Sequence, residues 1–193
     1  MYIAFEGIDT AGKSTQIERL RSRFDDVVVT REPGGTELGR RIRAILLDSG
    51  GVHPRAEALL FLADRAEHTE RIIRPNRRRL ILSDRSFISG IAYAHVHEKL
   101  PVDTLLQLNR FATDGLFPDA AVLLKLDEKT LQSRLGQKSR DAIERRGTGY
   151  MMAVQRTMEE LLDLLAIDHI VVDAAQPVEA VTETLTQFIK ERQ

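Results

Sequence analysis

The chain has 193 residues, enough for one domain with a sizeable core, and 42% of them are apolar and 30% charged. A formal net charge of −1 carries no footprint for nucleic acid or a membrane surface, and neither partner is expected. There is no cysteine, which excludes disulfides and thiolate metal sites.

The first strand is predicted at residues 2–6, too early to leave room for a signal peptide, and no apolar run reaches transmembrane length. A cytoplasmic location is therefore expected. This strand leads into Gly7-Ile8-Asp9-Thr10-Ala11-Gly12-Lys13-Ser14, which fits the phosphate-binding pattern G-x-x-x-x-G-K-[ST] at each fixed position. A helical pattern follows, with Ile17, Leu20 and Phe24 spaced for one face. In that setting backbone N–H groups wrap phosphate oxygens, and the helix dipole adds favourable potential. Gly7 and Gly12 allow angles and close approaches that a side chain obstructs. Lys13 supplies a point charge for β and γ phosphates, and the Ser14 hydroxyl suits Mg²⁺. Motif and context together favour a nucleoside triphosphate site over an ordinary glycine turn.

A second strand at 27–30 leads into Thr30-Arg31-Glu32-Pro33-Gly34-Gly35-Thr36, at the edge where acceptor phosphates would sit. Thr36 is placed to cap the helix Glu37–Leu47, on which Arg40 and Arg41 are expected to face solvent. Ala56–Arg74 is expected as one long helix before Pro75. On it Phe61 and Arg65 stand four residues apart, on one side, as a pair able to stack on a base and bond its edge. Taken alone, Phe61 reads more readily as core. Arg77-Arg78-Arg79 reads as a solvated turn. The strand 80–83 ends in Asp84-Arg85, which puts a carboxylate toward a metal at the phosphate loop and a cation toward a second phosphate, unless the two are only a structural pair. Further helices are expected at 87–98, 102–114, 128–136, 148–165 and 177–191, and further strands at 120–126 and 169–172.

Five apolar runs alternating with helices predict an α/β fold with a parallel sheet. No repeat or linker divides residues 1–193, so one domain is expected. The polar, Arg-rich stretch from Gly136 to Gly149 reads as a flap. An Asn/Thr-Lys-x-Asp guanine motif is missing, which argues against a GTPase. His53, His68, His95, His97 and His169 are all read as ordinary.

Several of these motifs, in order, resemble the thymidylate kinase family over nearly the whole length. They are Phe5-Glu6-Gly7-Ile8-Asp9 with Gly12-Lys13-Ser14-Thr15, then Arg31 to Thr36, Phe61-Leu62-Ala63-Asp64-Arg65, Asp84-Arg85, Ala92-Tyr93 and Asp173-Ala174-Ala175-Gln176-Pro177. The resemblance implies a three-layer α/β/α P-loop kinase with a five-stranded parallel sheet and a short flap. It implies transfer of the γ-phosphoryl of ATP to dTMP, giving dTDP and ADP for dTTP synthesis, with Mg²⁺ as cofactor. Lys13, Arg85, Asp9 and Asp84 would be catalytic, with Ser14 and Asp84 at the metal. Residues Gly7 to Thr15, with Gln176 and Pro177 beside the adenine, would hold ATP. Asp9, Glu32, Arg43, Phe61, Arg65, Arg85 and Tyr93 would hold dTMP: Asp9 at the 3′-hydroxyl, Arg43 and Arg85 at the phosphate, Phe61 stacked on thymine, Arg65 at O4 and Tyr93 against C2′. The family implies a homodimer, with the helix from Ala56 as one candidate interface.

The chain departs from the pattern twice. A polar residue expected three positions before Tyr93 is Gly90, which leaves base selection to Arg65, water or a neighbour. The flap segment Asp141-Ala142-Ile143-Glu144 lacks an arginine, and Lys138, Arg140, Arg145 or Arg146 could replace it. The acceptor phosphate is already anionic, so no general base is expected. A different pyrimidine monophosphate kinase and a nucleotide-binding module with little turnover are the competing readings.

Overall fold

A computed structural model describes residues 1–48, 52–135 and 147–193. Five parallel strands, β1 (Tyr2–Glu6), β2 (Val27–Arg31), β3 (Leu80–Asp84), β4 (Ala120–Lys125) and β5 (His169–Asp173), form one sheet in the order β2-β3-β1-β4-β5. Among the described residues the chain forms eight α-helices. They are α1 (Lys13–Arg21), α2 (Glu37–Asp48), α3 (Pro54–His68), α4 (Phe87–Glu98), α5 (Val102–Thr113), α6 (Glu128–Leu135), α7 (Thr148–Leu164) and α8 (Val178–Lys190). The α/β architecture and all five expected strands are present, with ends shifted by at most one residue.

β1 is central because each of its residues is apolar or buried, and it hydrogen-bonds on both sides. The chain moves from β1 outward to β2 and β3 on one side, then to β4 and β5 on the other. The loop after β1 therefore lies at the topological switch point, where open α/β sheets form their ligand crevice. Register sharpens this: Phe5 and Arg31 both stand beside Asp84, so the ends of β1, β2 and β3 are level.

Two expected helices are shorter. α1 stops at Arg21, and Phe24 lies beyond it, packed on the core. The stretch Ala56–Arg74 is not one α-helix. α3 ends at His68, a π turn covers Thr69–Ile73, and a 3₁₀ turn covers Arg74–Asn76. Pro75 has no N–H for a continued helix, and the wider turn lets buried Ile73 pack on Tyr2 and Ile81. Thr36 caps α2 as expected, its Oγ1 accepting from the Gly39 N–H at 2.9 Å. α8 is tied to α1 through Gln16, whose Nε2 donates to the Val178 carbonyl and whose Oε1 accepts from Thr182. Arg77 pairs with Asp119 and Arg79 with Asp26, so this arginine run is a surface turn held by ion pairs.

Ile73 and Ile81 are 1% and 0% exposed and share one small cluster. Ile73→Ala and Ile81→Ala should each lose about 2–5 kcal/mol in urea unfolding. Because they are neighbours, the double variant should depart from the sum of the two.

Candidate active site

Glycine sits where the loop after β1 passes closest to the sheet. A Cβ on Gly7 would fall 2.6 Å from the Leu124 carbonyl oxygen, and φ there is +142°. Gly12 caps α1 at φ +93°, and the N–H groups that follow open the helix toward the crevice. Lys13 is buried inside this loop, and its Nζ donates to the carbonyls of Gly7 (3.0 Å) and Ile8 (3.1 Å). Burial, reinforced by the charge on Arg85, brings its pKa down to about 8. An anion is the natural counterpart for such a lysine. Among the described residues, the one buried side-chain oxygen or nitrogen without a partner is Thr10 Oγ1, in the same loop.

Ser14 Oγ donates to Asp84 Oδ2 at 2.8 Å, as the level ends of β1 and β3 allow. A hydroxyl and a carboxylate side by side, next to a phosphate cradle, are the hard oxygen donors that suit Mg²⁺ completed by phosphate and water. Asp84 is followed by Arg85, at φ +75°. Its Nη2 donates to Asp9 Oδ1 (2.6 Å), and Nη1 donates to the Gly7 carbonyl and Ser89 Oγ (both 3.1 Å). The guanidinium also lies 5.1 Å from the Tyr93 ring centre. Burial alone would lower its pKa, but Tyr93, Asp9, Asp84 and Glu6 together raise it, so Arg85 stays charged. Behind it, fully buried Glu6 accepts from Ser86 (2.5 Å) and Ser89. Burial raises the Glu6 pKa.

The loop after β2 is pinned from α3. Asp64 Oδ1 accepts from the Gly34 N–H (3.0 Å), and a Cβ on Gly35 would fall 2.6 Å from the His68 ring. His68 is fully buried, with Nδ1 at 2.9 Å from Glu32 and Nε2 at 2.6 Å from Thr30. Histidine here is a structural strut, which its place in the sequence did not signal. Burial pushes the Glu32 carboxyl up, but Arg65 and His68 more than offset this and hold it below the usual range. Arg43 donates to the Pro33 carbonyl (3.1 Å). Burial, with Arg31 and Arg85 nearby, lowers its pKa.

These residues line two adjoining spaces. A polar cleft runs along Asp9, Thr10, Gly12 to Thr15, Arg31, Glu32, Arg43, Asp84 and Arg85. A more apolar pocket between α3 and α4 is bounded by Phe61, Tyr93, Pro33, Leu47, Gly90 and Arg65. Half-buried Phe61 faces this pocket, so it is not simply core. Arg65 Nε donates to Glu32 (2.7 Å), Nη1 to Asn109 (2.6 Å) and Nη2 to the Ser86 carbonyl (3.2 Å). Burial raises the Tyr93 pKa. A third groove, on the α8 side, is lined by Thr10, Ala11, Gly12, Thr15, Arg134, Ala174 and Gln176. Gln176 lies in it, and Pro177 caps α8 beside it. Arg134 spans it, donating to the Thr10 (2.9 Å) and Ala174 (2.8 Å) carbonyls.

Asn109 and Arg134 were not foreseen, because their partners lie 44 and 124 residues away and no local spacing links them. The flap residues Lys138, Arg140, Asp141, Glu144, Arg145 and Arg146 lie outside the described residues.

A family model described as thymidylate kinase matches residues 5–185. Among curated relatives, the thymidylate kinase of Sulfurimonas denitrificans is 47% identical, covering 98% of this chain and 99% of that one. That of Aliarcobacter butzleri is 45% identical over 98% of each chain. That of Campylobacter jejuni subsp. doylei is 46% identical, covering 98% of this chain and all of the other.

Lys13 carries a pH signature. Its pKa falls from 10.5 to about 8 on folding, so the folded state resists its protonation. The resulting penalty is full below about pH 8 and fades as pH rises toward 10.5. Lys13→Met should therefore raise the Tm of the ligand-free protein at pH 7, and the gap from the parent should narrow between pH 8 and 10.

Proposed function

We propose how this site works from one premise: the chain belongs to the thymidylate kinase family. It is a dTMP kinase, moving the γ-phosphoryl of ATP onto dTMP to give dTDP and ADP. In this reading residues 1–193 act as one kinase domain. ATP lies on the loop Gly7–Thr15 and in the groove beside α8, and dTMP lies between α3 and α4. One observation carries the arrangement. The polar cleft and the apolar pocket share Asp9, Glu32, Arg43 and Arg85, so two phosphate chains entering from either side meet among these groups.

The attacking oxygen belongs to a phosphate that is already anionic, so the protein has no proton to remove. Its work is alignment and charge compensation. Lys13 leaves its loop carbonyls for the β and γ phosphates, while Arg85 and Arg43 hold the acceptor phosphate. Asp9 positions Arg85 and offers an acceptor to the sugar 3′-hydroxyl. Ser14 and Asp84 hold Mg²⁺ together with ATP; when bound, the ion neutralises charge on the phosphate oxygens. Phe61 stacks on the base, and Tyr93 crowds C2′. Arg65 has donors only, so it favours a carbonyl at C4 over the amino group of a cytosine. Arg134, fixed by two carbonyls, presents a flat face to the adenine beside Gln176. The stretch 136–149, most of it outside the described residues, is the one from which Lys138, Arg140, Arg145 or Arg146 would supply a further cation.

Exposed apolar residues on adjacent helices support a homodimer: Leu38 and Ile45 on α2, Leu59 on α3, and Leu108 and Phe111 on α5, with Phe111 89% exposed. No described helix is long and apolar enough to cross a membrane. A need for ATP favours the cytoplasm as the place of action.

ADP release with Mg-ATP should be strong with dTMP and weak with dUMP, UMP, CMP and AMP. Lys13→Ala should lower kcat by about 100- to 1,000-fold. Turnover spread across the pyrimidines would retain the kinase and reject the base assignment. ATP binding with no acceptor-dependent turnover would leave a binding module instead. For the dimer, Phe111→Asp should shift sedimentation toward a monomer.

A further inference from the structure

Arg65 is held on three sides. It has five N–H donors, and three of them are committed, in different directions, to Glu32, Asn109 and the Ser86 carbonyl. Two are left for the pocket. The guanidinium plane is thereby set before any ligand arrives.

Asn109 is itself fixed. It is 2% exposed, and its Nδ2 donates to the Leu105 carbonyl one turn earlier at 2.7 Å. That bond leaves Oδ1 as the acceptor turned toward Arg65. The next constraint comes from α4. A Cβ built on Gly90 would lie 2.7 Å from Arg65 Nη2, 2.9 Å from Nη1 and 3.2 Å from Cζ. Real Cβ atoms essentially never come within 3.0 Å of a neighbour, so a side chain at 90 displaces the guanidinium nitrogens. Gly90 stands in the first turn of α4, where glycine is a poor choice by propensity. Space for Arg65 accounts for it.

We infer that Asn109 and Gly90 act together as positioning residues for Arg65, and through it set the preference for a C4 carbonyl on the acceptor base. The inference rests on the assignment of dTMP to the α3–α4 pocket. Gly90 then does not loosen base selection; it makes room for the group that performs it. A polar side chain restored at 90 works against this arrangement.

The test is steady-state kinetics on the full-length enzyme, varying dTMP and dCMP separately from ATP. Arg65→Ala comes first. If it leaves the KM for dTMP unchanged, the pocket assignment itself fails. If it raises that KM, three further variants decide. Gly90→Ser and Asn109→Leu should each raise the KM for dTMP by about tenfold or more and lower the dTMP-to-dCMP preference in kcat/KM. The KM for ATP should stay within about twofold. Asn109→Asp keeps an acceptor oxygen for Arg65 but loses the donor to the Leu105 carbonyl, so it should recover only part of the loss. The double variant Gly90→Ser with Asn109→Leu should cost less than the product of the two, because both act through one side chain. Should Asn109→Leu fold poorly, Gly90→Ala provides the same reading. Alanine favours the helix, so a raised KM with an undiminished Tm isolates the loss of Arg65 placement. Unchanged dTMP kinetics in Gly90→Ser and Gly90→Ala, or equal losses for dTMP and ATP, would overturn the inference.

Discussion

Parallel pairing of β1 with β3 and β4 is the constraint on which the rest of this molecule depends. A parallel strand cannot return through a hairpin, so each connection crosses over and every strand points its C-terminal end the same way. Phe5, Arg31 and Asp84 finish level with one another in consequence. The three loops that follow are the phosphate-binding loop, the loop of Glu32 to Thr36, and the turn of Arg85 and Ser86. They have nowhere to go but the same rim. Gly7, forced against the Leu124 carbonyl, shows how tightly that rim is drawn.

Crowding loops onto one rim also buries charge. Lys13 and Glu6 both lean toward their neutral forms because burial disfavours their charges. Buried Asp64 behaves likewise, its pKa raised to about 6 by burial and by the charge of Glu32. Glu32 and Arg85 lean the other way, since each has partners that outweigh desolvation. Such a cluster costs stability in the empty protein and is offset when highly charged nucleotides arrive. Tension of this kind suits phosphoryl transfer, where preorganised positive charge supplies much of the rate.

Away from the loop rim, the pocket beside α4 is built on α3 rather than on loops. Phe61 and Arg65 share one helical face, while Asp64 and His68 on the same helix pin the loop after β2 from beneath. The α3–α4 pocket and the loop after β2 are thus held by one helix. The break into a π turn after His68 then lets the chain seat Ile73 in the core before Pro75. This explains why an apparently continuous helical pattern could not remain one helix.

Local patterns in the sequence determined the five strands, the phosphate loop, the Thr36 cap and the Phe61–Arg65 pair. Each of these rests on neighbours within a few residues, so spacing and residue type were sufficient. The family itself was legible for the same reason, through ordered motifs rather than any single one. Tertiary structure alone decided that His68 is a strut, that Arg134 spans the groove by α8, and that Asn109 and Gly90 meet at Arg65. It also showed that Ser14, at the start of α1, touches Asp84 at the end of β3. Those contacts join residues tens of positions apart, and sheet order and register bring them together. Helical or strand periodicity encodes which face a residue occupies, but not which distant residue will be waiting there.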